Sequence, residues 1–265
     1  IMFDIIIIGS GPSSLLMTHY LLTHYKYNIC LITKKFVPWH CTYGIFEKSL
    51  QNSWLLNDTI MKDIFSHKLD CQLHCPDNNE KLIMNKNIEL LQEKYYLLNN
   101  NDFFIKINEL FKIKSLNIKE GTVLDIVNQK EKKKVIYLQN NKKRELFGKL
   151  IIEGTGHLKP IGIRYLLDFP KSYQTFVGYK IETVDPHNFS KVILMDWYDT
   201  KIGDCPSSFC YFIPYSKTVL FAEETILCNK SHEKYHNILE SRLKKRLDDY
   251  KLNIKKIIFI EKNII

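Results

Sequence analysis

The sequence predicts an α/β fold made of two parts, and three observations carry that expectation. An Ile-rich run from Phe3 to Ile8 ends on Gly9-Ser10-Gly11-Pro12-Ser13-Ser14, and a helical stretch, Leu15 to Tyr25, and a second apolar run, Asn28 to Thr33, follow. A second glycine turn, Gly154-Thr155-Gly156, comes straight after the apolar run Leu150 to Glu153. From about Pro160 to Leu227 alternation dominates, with Tyr173, Thr175, Val177, Tyr179 and Ile181 on one face of a strand. Strand, glycine turn, helix and strand within about thirty residues make the β-α-β unit of a Rossmann-like dinucleotide-binding domain. Period-two alternation indicates an antiparallel sheet half-buried on one side.

Each element has its own local reason. Phe3 to Ile8 is too short for a helix and apolar throughout, so it reads as a strand buried on both faces. Leu15, Met17, Leu21 and Leu22 give the next helix residues to pack. Between Phe36 and Tyr96, Pro38 and Gly44 punctuate a loop, and a helix is expected within Leu50 to Phe65. Asn99 supplies a cap for a helix over Asp102 to Lys114, where Phe103, Ile107, Leu110 and Phe111 keep helical spacing. Ile118, Thr122 to Gln129, Val135 to Leu138 and Leu150 to Glu153 read as strands, with Lys130 to Lys134 as a hairpin tip. Val192 to Trp197, Phe209 to Ile213 and Val219 to Ala222 continue the antiparallel part. Glu233 to Tyr250 returns to helix, with one stripe of Tyr235, Ile238, Leu239, Leu243, Leu247 and Tyr250. Lys256 to Ile260 begins a last strand. The expected division is a nucleotide-binding domain from 1–159 and 228–265, incomplete at its C-terminus, and an antiparallel-sheet substrate domain from 160–227.

Composition narrows the function classes. With 265 residues, 45% of them hydrophobic, the chain buries a real core and is neither a disordered tail nor a stapled mini-domain. Its seven cysteines are odd in number, scattered and without a C-x-x-C pair, which indicates reduced thiols. No apolar run reaches the roughly 18 to 20 residues of a membrane-spanning helix. The net charge of +9 comes largely from Lys130 to Lys134, Lys142 to Arg144 and Lys244 to Arg246. These lie in polar turns and on a helix face without interleaved aromatics, so a solvated surface is the first reading, anionic lipid headgroups the second, and no nucleic acid is expected. The chain starts at Ile1, so its N-terminus carries no address to read. His67, Cys71, His74 and Cys75 fall at i, i+4, i+7 and i+8, but Pro76 breaks any helix there and the spacing matches no zinc signature, so no metal is expected.

Two sets of residues carry chemistry. Gly9 allows a tight exit from the strand, Gly11 lets backbone amides approach a pyrophosphate, and Ser14 stands where a third small residue is needed for helix-strand packing. Thr33, at the end of the second strand, takes the place of the usual acidic ribose ligand. Gly154-Thr155-Gly156 resembles the Ala-Thr-Gly turn by which many flavoproteins touch their cofactor again, an ordinary glycine turn after a strand being the alternative, and two such turns favour FAD over NAD. Glu223 and Glu224 end an apolar run, where adjacent carboxylates are costly to bury without compensation. A carboxylic acid in such a pocket has its pKa raised and keeps its proton, which suits a general acid. Asp196 in Met195-Asp196-Trp197 stands to support the same pocket or to serve as a buried structural aspartate. Tyr173, Phe176, Tyr179, Trp197, Phe209, Tyr211 and Phe212 can line an apolar cavity or fill a core.

Four words in fixed order, Tyr173 to Tyr179, Met195 to Trp197, Pro206 to Pro214 (PSSFCYFIP) and Phe221-Ala222-Glu223-Glu224-Thr225, give the sequence a resemblance to the plant-type lycopene cyclases. Tyr43-Gly44-Ile45 before Trp54, both glycine turns, and Arg242-Leu243 to Leu247 extend it along nearly the whole chain. The resemblance implies β-ring closure on lycopene by proton donation, an isomerase-type reaction without net redox change. It implies reduced FAD, with NAD(P)H as reductant, held by Gly9, Gly11, Ser14, Thr33, Gly154 and Gly156. It implies Glu223 and Glu224 as catalytic residues, one donating the proton and the other orienting it or stabilising the cation. Substrate would lie against Asp196, Trp197, Tyr179, Phe209 and Tyr211. A plastid setting and peripheral membrane contact follow from the same resemblance, as does a C-terminal glycine-rich segment beyond this sequence. A geranylgeranyl reductase-like oxidoreductase and a non-catalytic apolar-ligand-binding remnant of the fold remain the alternatives.

Overall fold

A computed structural model describes residues 2–39, 41–58, 63–75, 87–156, 172–200, 202–229 and 235–264. The elements run β1 (Met2–Ile8), α1 (Pro12–His24), β2 (Ile29–Thr33), β3 (Gly44–Phe46), α2 (Glu47–Gln51), a 3-10 turn (Trp54–Asn57), β4 (Phe65–Cys75) and β5 (Asn87–Leu98). They continue with α3 (Asn100–Ile113), β6 (Asn117–Glu120), β7 (Thr122–Asn128), β8 (Lys133–Gln139) and β9 (Lys142–Glu153). The chain then forms β10 (Tyr173–Thr183), β11 (Val192–Asp196), β12 (Ser208–Pro214), β13 (Val219–Cys228), α4 (Tyr235–Asp249) and β14 (Ile254–Ile264). Two compact units result, Ile1–Trp39 with Asn99–Asp168, and His40–Leu98 with Phe169–Ile265.

The first unit carries a six-stranded sheet in the order β6-β2-β1-β9-β8-β7. β1 is parallel to β2, with Ile5 opposite Ile29, and parallel to β9, with Ile8 opposite Glu153. A strand with parallel neighbours on both sides is covered on both faces, and Ile6 and Ile7 are accordingly fully buried. The core joins Phe3, Ile6, Ile8, Cys30, Ile32, Val135 and Tyr137. The β8–β9 hairpin turns on Asn140 and Asn141, both with positive φ (48° and 59°), as a two-residue turn of this type requires. The expected cap of α3 is present, since the Asn99 side chain accepts the Asp102 amide at 3.3 Å, and Phe103, Ile107, Leu110 and Phe111 are its buried face.

The second unit carries an eight-stranded sheet in the order β14-β10-β13-β12-β11-β4-β5-β3. Its pairs are antiparallel apart from β11 with β4. On one face α4 lays Leu239, Leu243 and Leu247 against Val177, Tyr179, Ile181, Leu220, Ala222 and Ile226. On the other, Phe221, Ile213, Val192 and Leu194 pack with Cys71, Leu97, Tyr95 and Tyr211. Consecutive residues of β13 therefore belong to different cores, as period-two geometry demands.

Three expectations are revised. The region from 36 to 96 contributes strands β3, β4 and β5, and among its described residues only the short α2 and the 3-10 turn are helical where Leu50 to Phe65 was expected to hold a helix. The His67, Cys71, His74, Cys75 spacing thus lies on a strand, with Cys71 in one core and His74 toward Asp196, while the His67 and Cys75 side chains lie outside those described. Residues 228–265 join the second unit rather than the nucleotide-binding one, because β14 pairs antiparallel with β10 from Thr175 opposite Ile264 to Thr183 opposite Ile254. The 159/160 boundary falls outside the described residues. Among the described residues no helix is long and apolar enough to cross a membrane.

Candidate active site

The glycine turns of the first unit are built against each other. Gly9 leaves β1 at φ +107°, and a Cβ there would run into the Gly154 carbonyl. The amides continue the ladder past the strand ends, Gly9 N–H donating to Ile32 O and Gly154 N–H to Ile8 O, both at 2.8 Å. Ser14 is buried and its hydroxyl donates to Gly154 O at 3.3 Å. A Cβ on Gly154 would meet that hydroxyl, so Ser14 and Gly154 together do the close packing that a third glycine usually serves.

Gly11 is the N-cap of α1, and among the described residues nothing stands where its Cβ would lie and no side chain caps the helix. Pro12 follows at the helix start, and the first-turn amides keep donors and partial positive charge for an anion. These residues fit the diphosphate of a dinucleotide. Gly156 lies in the left-handed region (φ +71°) and is exposed. Thr33 is buried, its hydroxyl 2.7 Å from that of Ser10. The adjacent strand brings Glu120 beside Thr33, but Glu120 Oε1 accepts the Phe36 amide at 2.8 Å.

In the second unit Glu223 and Glu224 are both buried, at 8% and 0% exposure, and they face opposite sides of β13. Glu224 lies on the α4 side. Its Oε2 accepts Arg246 Nε at 2.7 Å, and its Oε1 accepts Arg246 Nη2 at 2.9 Å and the Ser208 hydroxyl at 2.6 Å. Arg242 Nη1 donates to that hydroxyl at 2.9 Å. Arg246 also reaches Asp196 Oδ2 at 3.2 Å, which accepts Tyr250 Oη at 2.8 Å, and His74 Nδ1 stands 3.8 Å from Asp196 Oδ1. Burial pulls the Arg246 guanidinium down, but the two carboxylates more than offset this and hold it above its ordinary range.

The sequence offers Arg246 as a surface charge, Glu224 as a catalytic residue, and Asp196 as either a support of the same pocket or a buried structural aspartate. The structure joins the three in a buried clamp that ties α4 to β13 and β11, which takes Arg246 off the surface and matches the structural alternative for Asp196.

Glu223 lies on the other side. Its carboxyl is pushed up to about 8, first by burial and then by the charge of Glu261, against a lowering contact from the Thr225 hydroxyl at 3.0 Å. Such a group holds its proton at neutral pH. Glu261, on β14, is buried too, and burial raises its pKa; its Oε2 accepts the Thr42 amide at 3.1 Å. Glu261 was not among the residues singled out from the sequence.

The aromatic residues divide in the same way. Tyr211 pairs with Glu223 and Phe209 with Thr225, so both share the Glu223 face. Trp197 leans on Phe209 with ring centroids 4.7 Å apart, and Phe209 on Tyr211 at 5.2 Å. Burial drives the Tyr95 and Tyr211 phenols up to about 12. Gly44 gives the Tyr95 ring room, which accounts for the glycine of the Tyr43-Gly44-Ile45 word. Tyr179 faces the other way, in the α4 core, where its hydroxyl donates to Glu240 at 2.5 Å. The residues expected to hold substrate are therefore brought together only in part, with Trp197, Phe209 and Tyr211 on one face and Tyr179 and Asp196 on the other.

These features define a Rossmann-type flavin-binding α/β fold with an antiparallel-sheet second unit. The same architecture occurs in a geranylgeranyl bacteriochlorophyll reductase-like protein from Thermoplasma acidophilum, at 14% identity and a TM-score of 0.68 over all of this chain and 66% of that one. It recurs in a flavoprotein/dehydrogenase from Cytophaga hutchinsonii, at 14% identity and a TM-score of 0.65 over the same shares.

The chain belongs to the lycopene cyclase family, whose sequence pattern, lycopene cyclase protein, matches residues 4–265. It is 26% identical to the chloroplastic neoxanthin synthase of Solanum lycopersicum over 99% of this chain. It is 25% identical to the chromoplastic capsanthin/capsorubin synthase of Capsicum annuum over 99% of this chain, and 21% identical to the chloroplastic lycopene beta cyclase of an Oncidium hybrid cultivar over 96%. The chain spans about half the length of these plant relatives, 51%, 51% and 52% respectively.

Proposed function

We propose that this chain is part of an enzyme that closes an end ring on a linear carotenoid such as lycopene by protonating its terminal double bond, with Glu223 as the general acid. The observation that carries the reading is the Glu223 carboxyl, buried on an aromatic face and pushed up to about 8, so that it offers a proton at neutral pH where water is excluded. Aromatic faces at Trp197, Phe209 and Tyr211 suit both an apolar chain and the carbocation that protonation creates. Family membership supports a carotenoid as substrate, and the plastid names of the plant relatives support a plastid setting. A substrate that dissolves in lipid calls for contact with a membrane surface.

Gly9, Gly11, Ser14 and Gly154 would hold the diphosphate of FAD, with Thr33 at the ribose end. Bound FAD in its reduced form, regenerated by NAD(P)H, supplies an electron-rich ring that favours nearby positive charge without net redox change. Glu224 acts here as the partner of Arg246, holding β13 in place, and not as a second proton carrier.

The test is ring formation by the full-length protein, supplied with FAD and a reductant and with lycopene in lipid vesicles. A product of unchanged mass with one or two rings is expected, and Glu223→Gln is expected to slow its formation by about 100-fold or more. A product heavier by two hydrogens per double bond would replace the reading with a reductase of the geranylgeranyl type. Failure to retain flavin or transform lycopene would leave the apolar-ligand-binding remnant.

A further inference from the structure

Across four strands of the second sheet, one row of paired residues reads Glu261, Gly178, Glu223, Tyr211. Residues in one row share a face, so the two glutamates point to the same side, two strands and roughly 9.5 Å apart at their Cα atoms. Gly178 between them has no side chain, and a Cβ there would come within 2.7 Å of the Phe221 ring and 3.4 Å of Glu223 Cβ. The gap over Gly178 is thus flanked by a buried carboxyl on each side. The two differ in support. Burial raises both carboxyls, but Glu261 accepts a backbone amide from Thr42, which opposes that rise and favours the carboxylate, whereas among the described residues Glu223 has the Thr225 hydroxyl alone.

We propose that Glu261 is the second catalytic residue of this site, the carboxylate that takes the proton released when the ring forms. The inference rests on the ring-closing reading. In the step, Glu223 gives its proton to the terminal alkene carbon, and the neighbouring alkene's electron pair closes the ring carbon-carbon bond. A ring C–H then breaks, its electrons forming the ring double bond and its proton passing to Glu261. One proton enters and one leaves, so mass and oxidation level are conserved, and the proton returns to Glu223 across the gap over Gly178. This gives the acid and base roles to residues 38 positions apart instead of to adjacent ones, one of which is committed to an ion pair.

Several titratable groups face this row from the surrounding elements: Lys180 on β10, Cys71 on β4, Tyr95 on β5, Tyr211 on β12, Tyr215 beyond it, and Cys41 and Tyr43 in the segment before β3. The experiment uses the full-length protein, Glu261→Gln and Glu261→Asp, each checked for fold by circular dichroism. Glu261→Gln is expected to lower kcat for ring formation by about 100-fold with KM little changed, and Glu261→Asp to restore part of it. The carboxyl stretch of protonated Glu223, followed by infrared titration against Glu223→Gln as the blank, is expected to disappear at lower pH in Glu261→Gln, because a neighbouring negative charge is gone. Wild-type kcat together with an unmoved Glu223 midpoint in folded Glu261→Gln would overturn the proposal. A wild-type protein that forms no rings would instead overturn the ring-closing reading, and the infrared midpoint would still decide whether the two carboxyls act on each other.

Discussion

The two faces of the second sheet at β13 treat buried carboxyl groups in opposite ways. On the α4 face, Glu224 and Asp196 share Arg246, with Ser208 and Tyr250 filling further acceptor positions. On the other face, Glu223 has one hydroxyl donor and the charge of a second carboxyl nearby. The first arrangement satisfies charge, and so fixes α4 on the sheet; the second leaves it unsatisfied, and so keeps a proton. Adjacent glutamates of one strand therefore sit in different electrostatic settings, and burial alone does not tell which of two acids keeps its proton.

The largest test of this contrast removes the cation. Arg246→Met leaves Glu224 and Asp196 buried without their guanidinium partner and is expected to cost about 3–5 kcal/mol in urea unfolding. Loss below about 1 kcal/mol would show that the clamp is not what holds α4. A smaller effect is expected on the opposite face. Gly178→Ala sets a methyl group against the buried Phe221 ring and should cost about 1–3 kcal/mol by the same measurement, while narrowing the gap between Glu223 and Glu261.

The smallest effect is a slope. The Glu223 carboxyl is raised from its ordinary 4.5 to about 8, so the folded state holds a proton that the unfolded state has lost across that window. Stability from this group is fully present below about 4.5 and falls as pH rises toward 8, by at most about 1.4 kcal/mol per pH unit. Glu223→Gln should flatten that part of the profile. An unchanged slope in denaturant titrations between pH 5 and 8 would mean that Glu223 is ionised in the folded protein.

Much of the first unit was legible because its signals are local. The glycine spacing, the Ile-rich strand and the Asn99 cap each act within a few residues, and the structure follows them. The second unit was legible as an antiparallel sheet but not in its membership. β4 and β5 pair with each other, and β4 joins the rest of the sheet through β11, more than a hundred residues on, so tertiary pairing overrode a segment whose own pattern was weak. β14 joined β10 through a register that no local spacing reveals.

Two signals were present and unused. Period-two geometry already places Glu223 and Glu224 on opposite faces of any regular strand. Arg242 and Arg246 sit beside Leu243 and Leu247 in the stripe of α4, where an arginine requires a buried partner, so Arg246 was never a surface charge. Glu261 lay beyond such reasoning, since its importance depends on a glycine in the strand between it and Glu223.

The contact between the two glycine turns has a further consequence. Gly9 and Gly154 come so close, with Ser14 wedged at their junction, that neither loop has slack to drift independently of the other. A dinucleotide bound against these turns, as proposed, would meet backbone already held in place, with little ordering entropy left to lose on docking. Affinity for such a guest would be set by the interactions made there and owe little to refolding around it.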